Sequence, residues 1–294
     1  MDRIRRLWTG VERRLSDARR RWPAVDHTWR AADRFGEVLG FRLAAAVAYY
    51  GFFAVFALAL LAYWVFGAVL EGSPEFSRTV AGFLRQNLPF LDPQKIAESS
   101  GQVGVVGLVL LVFTGVAWVD AIRSSQRLVY GMEQHPGNLV VRRLVDLAVL
   151  VGVFVLLGIS VSAVDALVSL LRWALGRHSI GASVAGWLLA VPVNMLVAAA
   201  LIAAVPRVRM DLRRLWPPVI LVAIGVTLLN SVGRYYVIRT ERNPAYTVVA
   251  GAVGLLLYLY LLNQLLLFGA ALAATGGPGR IRDLAGGQVP PTGA

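Results

Sequence analysis

The chain has no cysteine and one lysine, Lys95, in 294 residues. Without cysteine there is no disulfide framework, no thiolate metal site and no thiol nucleophile. Histidine is scarce as well. His27, His135 and His178 stand far apart, and none has the spacing of a metal-binding helix. Charge is the largest deficit: 16% of residues are charged and 57% are hydrophobic, with a mean hydropathy of +0.64. Soluble domains carry roughly a quarter charged residues, so a soluble fold of this length could not cover its surface. Known catalytic patterns are missing too. The lack of a GxxxxGK[ST] loop excludes a built-in P-loop ATPase. No carboxylate pair is placed for a metal-dependent nuclease, and the serine-rich sites lack a neighbouring histidine, so no hydrolase triad is expected. No cofactor or metal is expected.

What the chain does have is length without charge. Residues 43–70, 99–119, 147–164, 179–206, 215–233 and 243–279 contain no Asp, Glu, Lys or Arg. A helix crossing the hydrocarbon layer needs about 20 mostly apolar residues. Unpaired backbone amides in lipid cost several kcal/mol, which selects helices over strands. The expected fold is an all-α polytopic membrane bundle of six transmembrane helices.

The excess of arginine orients it. The net charge is +12, and the basic residues fall unevenly between alternate loops. Segments 1–42, 120–143, 206–217 and 275–294 hold 21 of them, and the opposite side holds 8. Loops rich in Arg stay in the cytoplasm, so both termini are expected inside. The domain division is a cytoplasmic segment 1–42, a transmembrane domain 43–274 and a tail 275–294. The tail is rich in Gly and Pro and is expected to be disordered.

Two surface helices are expected as well. In the first segment, Ile4, Leu7, Trp8, Val11, Leu15 and Trp22 recur at three- and four-residue steps, with arginines opposite. That is the pattern of a helix lying among headgroups, with anionic membrane lipids as its partners. A nucleic-acid arm has no use for such a stripe, so no nucleic acid is expected. Ser73, Pro74 and Glu75 open a second, short amphipathic helix on the outer, periplasmic side.

Several local patterns resemble the YihY/BrkB family of bacterial inner-membrane proteins, once misnamed ribonuclease BN. One is the small-residue run Ala44 to Ala48 followed by Tyr49 and Tyr50. A second is Trp118 followed by residues 121–130, similar to that family's short cytoplasmic helix. Others are Arg142-Arg143, Tyr235-Tyr236, the pair Gly251 and Gly254, and Gly269-Ala270. The chain departs from the family where it has Ala271 and Ala273 in place of a glutamate and an asparagine. The resemblance implies a six-helix protein of the cytoplasmic (inner) membrane. It implies no settled biochemical activity.

Polar side chains in lipid are the default candidates for function. Ser160 and Ser162 fall in the third expected span, Asn194 beside Pro192 in the fourth, and Asn263 and Gln264 in the sixth. They either line a path for a substrate or bond between helices as packing contacts. Asp165 and Arg234 fall at similar depth and form a candidate outer ion pair, as a clamp or a gate. Asp120 and Arg123 are spaced for an i,i+3 pair, the alternative being a solvated helix end. With no enzyme motif, the expected function is movement of a lipid or other amphipathic molecule into or across the bilayer. The alternatives are an envelope scaffold and, remotely, a membrane-tethered nuclease.

Overall fold

The computed structural model describes residues 21–72, 93–152, 194–240, 244–277 and 279–286, with the single positions 155 and 192. Helix α1 is Pro23–Glu37, started by a proline in its first turn and by Asp26 near its positive end. It stops where Leu39 takes φ 54, a left-handed conformation that no helix continues. Helices α2 (Gly40–Gly72), α3 (Pro93–Val129), α4 (139–152) and α5 (Asn194–Ala204) follow. After a two-residue strand β1 (Val208–Arg209) come α6 (Leu212–Thr240), α7 (Pro244–Thr275) and strand β2 (Arg282–Asp283).

Four helices among the described residues are long and apolar enough to cross a membrane: Gly40–Leu58, Val105–Val129, Leu212–Asn230 and Gly251–Thr275. They correspond to the first, second, fifth and sixth expected spans. The third and fourth spans lie largely outside the described residues. Their described parts are helical, as α4 and as α5, which is short and apolar. Residues 1–20 and the expected outer helix at 73–84 also lie outside.

Helix α3 runs for 37 residues, about 55 Å at the α-helical rise, against a hydrocarbon layer of about 30 Å. The segment 121–130, expected as a separate short helix, is instead the continuation of α3 and the turn that ends it. α2 packs most extensively on α3, and α7 packs on α6, α2 and α1. One core joins Ala31 and Phe35 of α1 to Ala44, Leu267 and Ala270. A second joins Ala198 and Ile202 of α5 to Val219 and Val222 of α6 and Leu266 of α7. Gly269 permits the α6–α7 approach, since a Cβ there would lie 2.8 Å from Val222 Cγ2. Gly251 has none of the described residues within 4 Å of a Cβ placed there.

The tail departs from its expectation. Val208 pairs with Asp283 and Arg209 with Arg282 in an antiparallel ladder. The Leu284 amide adds a bond to the Arg207 carbonyl at 2.9 Å. Gly/Pro composition predicts disorder when a segment has nothing to bind, but Asp283 and the backbone around it have partners. Residues 287–294 lie outside the described set.

Candidate functional site at the basic end of the bundle

The turns of α3 that end the helix carry Asp120, Arg123, Gln126 and Arg127, all at helical spacing and therefore close to one face. In a solvated loop these side chains would be exposed. Arg123 is instead 1% exposed, and Gln126 and Arg127 are fully buried. The reason is Asp146 of α4, which is also fully buried. Its Oδ1 accepts Arg123 Nε at 2.9 Å and Arg207 Nη2 at 3.0 Å. Asp120 pairs with Arg123 and, at 3.3 Å, with Arg143. The spacing-based Asp120–Arg123 pair therefore exists, inside a network rather than at a solvated end.

Carbonyls take several of the remaining donors, while Arg142 Nε and Arg207 Nε are buried with no hydrogen-bond partner among the described residues. Arg123 Nη1 donates to Gln134 O at 3.0 Å, and Arg127 Nη1 to Pro206 O at 3.1 Å. Arg127 also grips Asp283 of the tail at 2.6 Å. The network thus ties five separate pieces of chain together: the end of α3, the loop 130–138, α4, the turn before β1, and β2. Charges buried this deeply hold only when paired and hydrogen-bonded on all sides.

Two backbone irregularities sit beside it. Residues Ala200–Ala204 form a π-helical turn at the end of α5. The buried Tyr130 hydroxyl donates to Ile202 O in that turn at 2.9 Å. Burial pushes the Tyr130 phenol well above its ordinary range, so it stays a donor. Arg207 then takes φ 58, a costly conformation for a side-chain-bearing residue, pinned by its bond to Asp146. Burial lowers the pKa of Arg207, while Asp146 opposes the shift.

Arginines also close two helix ends. Arg34 of α1 donates to Val129 O at 2.9 Å and Leu128 O at 3.0 Å, at the C-terminus of α3. Arg214 donates to Ala273 O and Ala274 O, both at 2.6 Å, at the C-terminus of α7. Each cation satisfies orphan carbonyls and meets the negative end of a helix dipole.

The outer surfaces hold open apolar troughs. One, of about 230 Å³, lies between α5 and α6, with Pro192, Leu196, Ala199, Leu215 and Trp216 in its walls. Another, of about 420 Å³, lies between α1 and α7 and includes Phe35, Phe41, Gln264 and Phe268. A third, of about 480 Å³, lies between α3 and α4 and ends at Arg143.

The residues picked from the sequence separate. Asn194 donates to Thr227 Oγ1 of α6 at 3.3 Å. Asn263 is buried and donates to Leu259 O of its own helix at 2.7 Å. Gln264, one residue on, lines the α1–α7 trough. These three do not gather around one path. Ser160, Ser162 and Asp165 lie outside the described residues, as does the side chain of Arg234, so the outer ion pair is not described. Asp146 escaped the sequence reading because it sits at the boundary between a loop and an apolar stretch. Its signal is that it is the one carboxylate in the turn after Arg142 and Arg143.

A class follows from this architecture: an α-helical membrane protein with open apolar troughs and one end locked by buried arginine–aspartate pairs. The chain belongs to the family of virulence factor BrkB, whose family model matches residues 31–283. It is similar to the inner membrane protein YhjD of Escherichia coli (strain K12), at 26% identity covering 87% of this chain and 82% of YhjD. It is also similar to an uncharacterized protein of Dickeya dadantii (strain 3937), at 24% identity covering 87% of this chain and 84% of that protein. No solved structure matches it.

Proposed function

We propose that this protein moves a lipid or another amphipathic molecule into or across the bacterial inner membrane, without its own ATPase and with both termini in the cytoplasm. The observation that carries the reading is the α5–α6 trough. Its walls are apolar and open sideways, and α5 combines Pro192 before it, Asn194 at its start and a π-turn at its end. Irregular helices of this kind are common at functional sites and give a span freedom to repack. The separation of Asn194, Asn263 and Gln264 argues for a route along the troughs rather than through the bundle interior. At the basic end, α1 presents exposed Trp22 and Trp29 beside its arginines. That pattern suits anionic headgroups on the cytoplasmic leaflet.

The test is flip of a short-chain fluorescent phospholipid in proteoliposomes, read by quenching from outside. Wild type is expected to exceed protein-free vesicles severalfold, and Ala199→Trp, which fills the trough, to lower the rate. Equal rates in wild type and empty vesicles would overturn the reading. A structural role in the envelope is the second reading. It is favoured by the bond of Asn194 to Thr227 of α6, a contact between helices, and by Asn263, whose amide nitrogen bonds its own helix. It predicts co-purifying partners and no lipid movement.

A further inference from the structure

We propose that the trough between α3 and α4 is a binding site for an acidic phospholipid of the leaflet that the basic end faces, with its phosphate at Arg143 and an acyl chain along Phe113 and Leu144. The trough measures about 480 Å³, within the roughly 300–1,000 Å³ of ordinary ligand sites. Eight of its nine lining residues are apolar, and Arg143 is the one polar residue among them. Phe113 is 76% exposed, so the wall is open to an occupant from the side. An apolar channel ending in a single cation matches a molecule with a hydrocarbon chain and an anionic head.

The charge at that end is unbalanced in the direction an acidic head requires. Arg143 is 44% exposed, and its pairing among the described residues is with Asp120 at 3.3 Å. Asp120 is shared, because it also pairs with the buried Arg123 and has His135 Nε2 at 4.0 Å. Around it, Arg123, Arg127, Arg142, Arg143 and Arg207 face Asp120, Asp146 and Asp283, with the Glu133 side chain exposed on the loop. The cluster keeps positive charge in excess. Arg143 is the cation that reaches the trough, whereas Arg123 and Arg127 are buried and saturated by their own partners. A zwitterionic lipid would bring its amine to the same cations. An acidic headgroup is therefore expected to bind about fivefold tighter, the ratio for one nearby basic residue. The site does not depend on lipid movement, since a lipid held here would be bound whether or not it is transported.

The experiment is native mass spectrometry of the full chain in detergent, titrated with phosphatidylglycerol or phosphatidylcholine of equal chain length. The wild type is expected to hold phosphatidylglycerol about fivefold more strongly. Arg143→Gln should bring the two lipids to equal occupancy, and Arg143→Lys should restore the preference, because a point cation suffices for a phosphate. Leu144→Trp, which fills the trough and keeps the cation, should lower the occupancy of both. Equal binding of the two lipids by wild type, as for loosely associated bilayer lipid, overturns the proposal. So does a Leu144→Trp protein that binds as wild type. If Arg143→Gln fails to fold, Arg143→Lys and Leu144→Trp decide the matter alone. Loss of lipid flip with retained phosphatidylglycerol binding would count against the proposed function and leave this site standing.

Discussion

The Asp283 carboxylate holds the Arg127 guanidinium with both oxygens, at 2.9 and 2.6 Å, across 156 positions of the chain. One partner belongs to a tail of glycines and prolines, and the other to the most buried face of a transmembrane helix. This pair turns the tail into part of the fold. Asp283→Ala leaves a fully buried cation with only the carbonyls of Glu133 and Pro206. The expected loss is about 3–5 kcal/mol, read as a lower midpoint of thermal unfolding in detergent. Limited proteolysis should then cut between residues 276 and 286. An unchanged midpoint and an intact tail would show that the pair carries no stability.

Asp146 is the more demanding position, because it serves two cations. Its Oδ1 meets Arg123 and Arg207 together. Asp146→Ala should cost at least as much as Asp283→Ala. The double variant Asp146→Ala with Arg123→Met should recover part of that loss, since the uncompensated charge goes with its partner. The check is a double-mutant cycle on unfolding midpoints. Simple additivity of the two single losses would mean that the residues do not act as a pair.

The bundle was legible in the sequence because lipid enforces a pattern that charge-free length reveals directly. Four of the six expected spans reappear as α2, α3, α6 and α7, with ends shifted by up to 12 residues. The basic end was legible only in part. Counting arginines by loop treats them as solvated charges, and that assumption fails for Arg123 and Arg127, which are buried. Their burial depends on Asp146 and Asp283, which lie 23 and 156 positions away. Local spacing cannot reveal partners at that distance. The same reasoning explains the tail, whose order comes from Arg127 and Arg207 and not from its own composition. Polarity picked Asn194 and Asn263 correctly as buried or half-buried groups, but it carried no information on which neighbour each would bond.

Gln126 differs from the arginines around it. It is fully buried, yet among the described residues neither the oxygen nor the nitrogen of its amide has a hydrogen-bond partner. A buried amide left unpaired costs about 1–3 kcal/mol, and an apolar side chain of the same shape removes that cost. Gln126→Leu is therefore expected to raise the unfolding midpoint. A drop of several degrees would instead assign the amide a partner that matters, such as a bound water or a ligand, and hydrogen exchange or native mass spectrometry would separate those two cases.

Two of the three glycines of α7, Gly269 and Gly251, make a matched pair of tests for helix packing. At Gly269 a Cβ would meet Val222 Cγ2 at 2.8 Å, with Ile202 Cδ1 at 3.6 Å and Pro218 Cβ at 3.8 Å behind it. Two chain segments, α6 and the end of α5, close on that point, so little room exists for a neighbour to yield. Gly269→Val should force α6 and α7 apart and destabilise the protein by about 1–3 kcal/mol, as overpacking does in other cores. At Gly251 none of the described residues lies within 4 Å of the same position. Gly251→Ala should only remove backbone freedom from a helix interior, which stabilises by roughly 0.5–1 kcal/mol. Unfolding midpoints of the two variants should move in opposite directions. Equal tolerance at both sites would mean that α6 and α7 are held apart in the membrane and that the core of Ile202, Val222 and Leu266 is loosely packed.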